Sequence, residues 1–185
     1  MSDPCRPYRQ LARNALLANQ RLHLACAALL PGEWDAKRVS FFPSIEATLN
    51  HILVVGWFYG DVLRGGSLGY AAFADEVPCR SVASLAAAQR TLDDELLSFC
   101  DGLTANGLNA EVRIHRAGRV QVETVADTLM HLMLHDQHHR GQVHAMLSGT
   151  SVKPPQLDEF FMADDAGARV ADLAKLDLDE AWVIR

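Results

Sequence analysis

The sequence predicts an all-α protein, a four-helix bundle with one small β-hairpin. Three observations carry that reading. Four long segments have apolar residues recurring every three or four positions. One short segment alternates apolar and polar residues around a turn. A stretch without periodicity, from Gly65 to Arg80, separates the second helix from the third.

The first helix falls between Tyr8 and Leu30, where Leu11, Ala15, Ala18, Leu22, Ala25 and Leu29 form an amphipathic stripe and Pro31-Gly32 ends it. Ser44 is placed to cap a second helix that runs to Arg64 and stops at Gly65-Gly66. Its core, "ILVVGWFYGDVL", is apolar nearly all round, which predicts deep burial. The stretch from Gly65 to Arg80 is too long for the tight turn that joins antiparallel neighbours, so it reads as a crossover. The third helix spans about Ser81 to Asp101, with Leu85, Leu92, Leu96, Phe99 and Leu103 along its stripe.

In "AEVRIHRAGRVQVE", Val112, Ile114, Val120 and Val122 alternate with polar residues around Ala117-Gly118, which predicts the hairpin. The fourth helix opens near Thr124 and continues to Gly149. After "VKPPQ" come "LDEFFMADD" and an acidic tail with two apolar pulses. The expected division is a bundle over residues 1–164 and a C-terminal segment, 165–185, packed on or near it.

Composition narrows the function classes. The chain has 185 residues, 49% hydrophobic and 22% charged, enough for one domain with a real core. A formal charge of −6 argues against a nucleic-acid surface, which needs a basic face. The opening "MSDPCRPYRQ" lacks the apolar region of a signal peptide, and no run approaches the ~20 apolar residues of a membrane span. Cys5, Cys26, Cys79 and Cys100 show no Cys-x-x-Cys spacing. The expectation is a cytoplasmic protein with reduced thiols and no membrane or nucleic-acid partner.

The chemistry concentrates in "HLMLHDQHHRGQVH", residues 131–144, which holds five of the eight histidines. Residues four apart on a helix differ by about 40° in rotation and about 6 Å in height, so His135 and His139 project from one face at a separation one ion can bridge. His131 and His138 offer further pairs, and spacing alone does not choose among them. Two imidazoles hold a transition metal weakly, so a third ligand is needed. His51 is the best candidate, because its neighbours Thr48, Val55, Phe58 and Val62 point it inward and its ring nitrogens need a partner there.

Taken singly, each signal has a plainer explanation. A lone histidine on an apolar face is more often a hydrogen-bonded core residue, and a lone His-x-x-x-His pair arises often by chance. His23, His115 and His144 are read as structural or surface residues, and Cys26 and Cys100 as small core residues. Gly141 is expected where the fourth helix approaches a neighbour. Arg140 and Gln142 either hydrogen-bond around the site or face solvent. Asn50, Asp127 and Asp136 are candidates for orienting imidazole N–H groups.

"TLNHILVVGWFYGDVL" followed by "HLMLHDQHHRGQVHAML" resembles the DinB/YfiT-like family, in which an Asn-His opens the second helix and a His-x-x-His-His-Arg-Gly-Gln lies on the last. "YRQLARNALLANQRL" is similar to the family's first helix and "LDEFFM" to its closing segment, so the likeness spans residues 8 to 162. The resemblance implies an up-down-down-up bundle and a metal held by His51, His135 and His139, with His138 outside the ligand set. It also implies an activity class, since the family includes metal-dependent transferases that act with low-molecular-weight thiols.

Three neutral imidazoles leave an ion with at least one open position, whereas a closed structural site uses four protein ligands. An open ion can activate water or bind a thiol as thiolate. Imidazole donors favour zinc or nickel, with manganese or iron as further candidates. A zincin-type protease fits poorly, because Asp136 stands where that motif has Glu and the third ligand lies far upstream. Two functions follow: a thiol transferase or hydrolase acting on a small-molecule substrate, or a non-catalytic, damage-inducible metal-binding protein whose ion ties two helices together. A homodimer is expected from the apolar second helix and the apolar pulses of the tail.

Overall fold

The computed structural model describes residues 3–184. Four long helices form the bundle: α1 (Arg6–Ala27), α2 (Ile45–Leu63), α3 (Val82–Asp101) and α5 (Val125–Leu147), with a single-turn α4 (Ala105–Leu108) before the hairpin β1 (Glu111–Arg116) and β2 (Arg119–Thr124). The chain closes with α6 (Ala166–Lys175) and α7 (Glu180–Ile184).

Caps set the helix starts. The Ser44 hydroxyl accepts from Ala47 N–H at 3.0 Å. Ser81 and Ser84 form a reciprocal capping box at the start of α3. Thr124 ends β2 and also caps α5, accepting from Asp127 N–H at 3.0 Å.

Cross-helix contacts fix the topology. Arg13 bonds Asp101 and Asn19 bonds Asp93, so α1 and α3 run antiparallel. Leu92 lies against Gly56 and Arg64 pairs with Glu95, so α2 and α3 run parallel. His51 faces His135 and Tyr59 faces His131, which makes α2 and α5 antiparallel. The bundle is therefore up-down-down-up, with the α1–α3 seam and the α2–α5 seam on opposite sides. Parallel α2 and α3 require the crossover, and Asn50 anchors it: its amide donates to Cys79 O and its carbonyl accepts from Cys79 N–H, both at 2.8 Å.

The core runs in two linked clusters. One gathers Phe58, Val62, Leu96, Leu129 and Leu132 with Val112 and Ile114 of β1. The other gathers Leu22, Ile45, Leu49, Leu53, Leu85 and Leu147. A third, smaller cluster seats the C-terminal helices on α1, through Leu17, Ala18, Phe160, Leu173 and Val183. Arg169 is fully buried beneath that layer and pairs with Glu180. All four cysteines are buried and unpaired. Among the described residues no helix is long and apolar enough to cross a membrane.

The hairpin departs from its expected pattern. Val112 and Ile114 enter the core, but Val120 and Val122 are exposed. The register explains this: Val120 pairs with His115 and Val122 with Arg113, and directly paired residues share a face. The two-residue turn places the apolar positions of β2 opposite the outward positions of β1.

Candidate metal centre

The α2–α5 seam brings His51, His135 and His139 together. His51 Nε2 lies 3.0 Å from His135 Nε2. Ligand atoms from all three lie within 4.8 Å of one another. Two imidazole nitrogens bound at about 2.0–2.1 Å to one tetrahedral ion stand roughly 3.3 Å apart, close to the His51–His135 separation, so small side-chain adjustments fit the donor set to a transition metal. Neutral nitrogen donors suit zinc, nickel or iron.

The surroundings favour the neutral, ligating form of His51 and His139. Burial, reinforced by His135 and His139, pushes the His51 pKa down to about 4. Burial also lowers His139. The Nδ1 of His139 donates to Gln142 Oε1 at 2.8 Å, which leaves its Nε2 lone pair free. Gln142 Nε2 in turn reaches His138 Nε2 at 3.1 Å, so His138 is occupied on the outer side of the helix. His135 Nδ1 lies 3.3 Å from Asp136 Oδ1. Phe42 packs against the His51 ring with centroids 4.2 Å apart, walling one side of the cluster.

His131 continues the stripe one turn earlier but stands apart from the three. Its ring centroid is 6.4 Å from that of His135 and 5.1 Å from Tyr59. Tyr59 Oη accepts from Arg116 Nη2 at 3.0 Å.

Several sequence expectations need correction. Asn50 orients no imidazole, because both its amide groups are committed to the crossover and to Glu46 O. Asp127 belongs to the α5 cap. Gly141 does not mediate close packing: a Cβ built there meets nothing within 4 Å. The close approach occurs at Gly56, where a Cβ would fall 2.3 Å from Leu92 Cδ2. Arg140 does not face solvent but is 2% exposed in the core. Of the histidines read as structural or surface residues, His23 is the structural one, buried in the fold.

Sequence reasoning missed the layer that Arg140 belongs to. Asn19 donates to both Asp93 carboxylate oxygens at 3.0 and 3.1 Å, and Gln89 donates to Asp93 Oδ1 at 2.9 Å. Arg140 Nη1 reaches Asn19 Oδ1 at 3.4 Å, and Asp136 and Asp93 supply opposing charge. Burial pushes the Asp93 carboxyl up to about 7, against the lowering effect of Gln89, Asn19 and Arg140. The signal was in the spacing. The apolar stripe of α5, through Leu129, Leu132, Met133, Val143, Met146 and Leu147, passes directly through Asp136, His139 and Arg140. Phe42 carried no such signal, since it precedes the α2 cap in an irregular segment.

A cleft of about 650 Å³ opens further along α5, past Gln142, and none of the three histidines lines it. Lys37, Ser40, Phe41, Met146 and Gln142 line it, and Gln142 is the same side chain that holds His139.

A sequence model of the DinB family matches residues 1–171. Two solved structures share the fold. The DinB-like protein YjoA of Bacillus subtilis superposes with a TM-score of 0.57 at 18% identity, covering 80% of this chain and 97% of that one. A DinB-like protein of Bacillus cereus ATCC 10987 gives 0.56 at 15% identity, covering 79% and 95%. No curated protein matches the chain.

Proposed function

This chain belongs to the DinB family, and from that premise we propose that it binds one divalent transition ion through His51, His135 and His139 and acts as a metal-dependent enzyme. Zinc or nickel is the preferred ion, and the reaction is transfer of a low-molecular-weight thiol to a small-molecule substrate, or hydrolysis of one. The observation that carries this reading is the convergence of three imidazoles from two helices, with ligand atoms within 4.8 Å. Three protein donors, in place of the four of a closed site, support an ion with an accessible position. Such an ion supplies Lewis acidity and lowers the pKa of a thiol or water placed beside it.

The protein's own groups have separate tasks. Gln142 holds the His139 tautomer, Asp136 borders His135, and Phe42 keeps water from one side of His51. The cleft beside Gln142 offers room for a substrate, and Lys37 at its edge favours an anionic one. The apolar Met130, Leu134 and Phe161, exposed around the α1–α5 side, support assembly as a homodimer, which light scattering tests against the 20.3 kDa monomer mass.

The test uses protein reconstituted with cobalt or nickel and titrated with a panel of small thiols. A sulfur-to-metal charge-transfer band, accompanied by accelerated addition of the thiol to an electrophile, is expected for the wild type and absent in His139→Ala. Metal binding with no spectral response to any thiol, and no pH-dependent ester or amide hydrolysis above that of free metal, contradicts the enzyme and leaves an ion that only ties α2 to α5.

A further inference from the structure

On the opposite side of the bundle, the α1–α3 seam opens into a cleft of about 320 Å³. Leu16, Leu24, Val82, Ala86 and, after α6, Leu176 form its walls, so they are predominantly apolar. That volume lies in the range of small-molecule sites, which bury apolar surface and use a few polar groups for orientation.

Four polar side chains line it: Gln20, whose amide nitrogen donates to Asp172 O at 3.2 Å, Arg90, His23 and Asp93. His23 is only 9% exposed, yet among the described residues no side chain or backbone group hydrogen-bonds to its ring. Burial alone accounts for its pKa of about 4, with no charged neighbour contributing, so the ring is neutral and offers one acceptor nitrogen and one N–H. Asp93, 4% exposed, presents carboxylate oxygens that Asn19 and Gln89 only partly satisfy. Among the described residues the His23 ring has no protein partner and opens to the cleft, so its hydrogen bonds come from whatever occupies the cleft, and Gln20 Oε1 in the same lining is a buried acceptor without a partner.

The chemistry of this floor selects a ligand. The lone pair of His23 and the oxygens of Asp93 call for a donor. An anion meets the Asp93 carboxylate, and the one guanidinium at the rim, Arg90, is already paired with Asp94 at 2.9 Å. Small side chains at Ala83 and Ala86 leave space for a flat ring.

We propose that the α1–α3 cleft is a second binding site, separate from the three-histidine centre, for an uncharged, largely apolar small molecule that carries an N–H or O–H donor for His23.

Indole serves as the probe, with naphthalene as a ring lacking the donor and benzoate as an anionic ring. The full chain is titrated by NMR, following the assigned imidazole resonances and the Leu and Val methyl groups. Indole should give saturable shifts at His23, Leu16, Leu24 and Leu176 and none at His51, His135 or His139, with and without bound metal. Benzoate should give none. His23→Leu should weaken indole about tenfold, the worth of one hydrogen bond, and leave naphthalene unchanged. Ala86→Phe, which fills the cleft from an accessible helix position, should abolish both, with an unchanged circular dichroism spectrum; Ala83→Leu does the same should Ala86→Phe fail to fold. The absence of saturable shifts in the wild type, or indole binding unaffected by the filling variants, overturns the proposal. So does protection of the cleft by a second copy of the chain, seen as concentration-dependent shifts at Leu24 and Ala83 that indole does not displace.

Discussion

His139 and Gln142, three residues apart on α5, are joined by a hydrogen bond of 2.8 Å from Nδ1 to Oε1. The carbonyl oxygen can only accept, so the bond fixes the proton on Nδ1 and turns the Nε2 lone pair to the other histidines. The same amide donates to His138 from its other end, and in doing so separates two adjacent histidines into a candidate ligand and an outer-side partner.

Gln142→Ala removes that orientation without touching a candidate ligand. Metal affinity, measured by competition with a chromogenic chelator, should fall about 10- to 100-fold while the helical content stays constant. Unchanged affinity would show that packing alone orients the ring.

Arg140→Leu should be strongly destabilising. The guanidinium is 2% exposed and is the cation that opposes Asp93 and Asp136 in the core. Removing one partner of a buried charge pair costs about 3–5 kcal/mol, because the remaining charge is stranded. Urea denaturation of the metal-free protein measures it; a loss below about 1 kcal/mol would mean that water reaches the layer.

His23 gives the metal-free protein an acid-sensitive step. Its folded pKa of about 4 lies below the ordinary 6.5, so the unfolded chain binds more protons between these values. The contribution is fully present above pH 6.5 and is lost as the pH falls towards 4. Asp93, which lines the same cleft, titrates from a different direction: its folded pKa is raised to about 7, so its contribution falls as pH rises to that value. Comparing wild type with His23→Leu isolates the histidine. The wild type should lose on the order of 2–3 kcal/mol more than the variant between pH 6.5 and 4. Parallel pH profiles would contradict the burial of the neutral ring.

Two glycines should respond in opposite directions. Gly141→Ala fills open space in a helix interior and should stabilise by about 0.5–1 kcal/mol, with metal affinity unchanged. Gly56→Val drives a branched side chain into Leu92 and should destabilise by about 1–3 kcal/mol. Thermal melts of both variants settle whether Gly56, and not Gly141, is the contact glycine.

The periodic parts of this fold were legible in the sequence because they are local. The stripes of α1 and α3, the apolar run of α2 between Ser44 and Gly65, and the turn at Ala117-Gly118 are recorded in local sequence, and the crossover showed itself by lacking periodicity. The histidine stripe on α5 narrowed the candidates without selecting among them; resemblance named His51, His135 and His139, and the fold brings the three together. What stayed hidden depends on partners distant in the chain. Arg140 looks like a surface cation until Asn19 and Asp93 are placed around it. The outward turn of Val120 and Val122 follows from strand register, which alternation alone does not fix. Phe42 reaches His51 from a segment with no repeating pattern at all.

The most direct test of the central claim is elemental analysis of metal-reconstituted protein after exhaustive dialysis, across single alanine variants of the histidines. One ion per chain should remain in the wild type, in His131→Ala and in His138→Ala, while His51→Ala, His135→Ala and His139→Ala should each lose most of it. Full occupancy in His51→Ala would contradict the account, since it would show that α5 holds the ion without the helix that faces it.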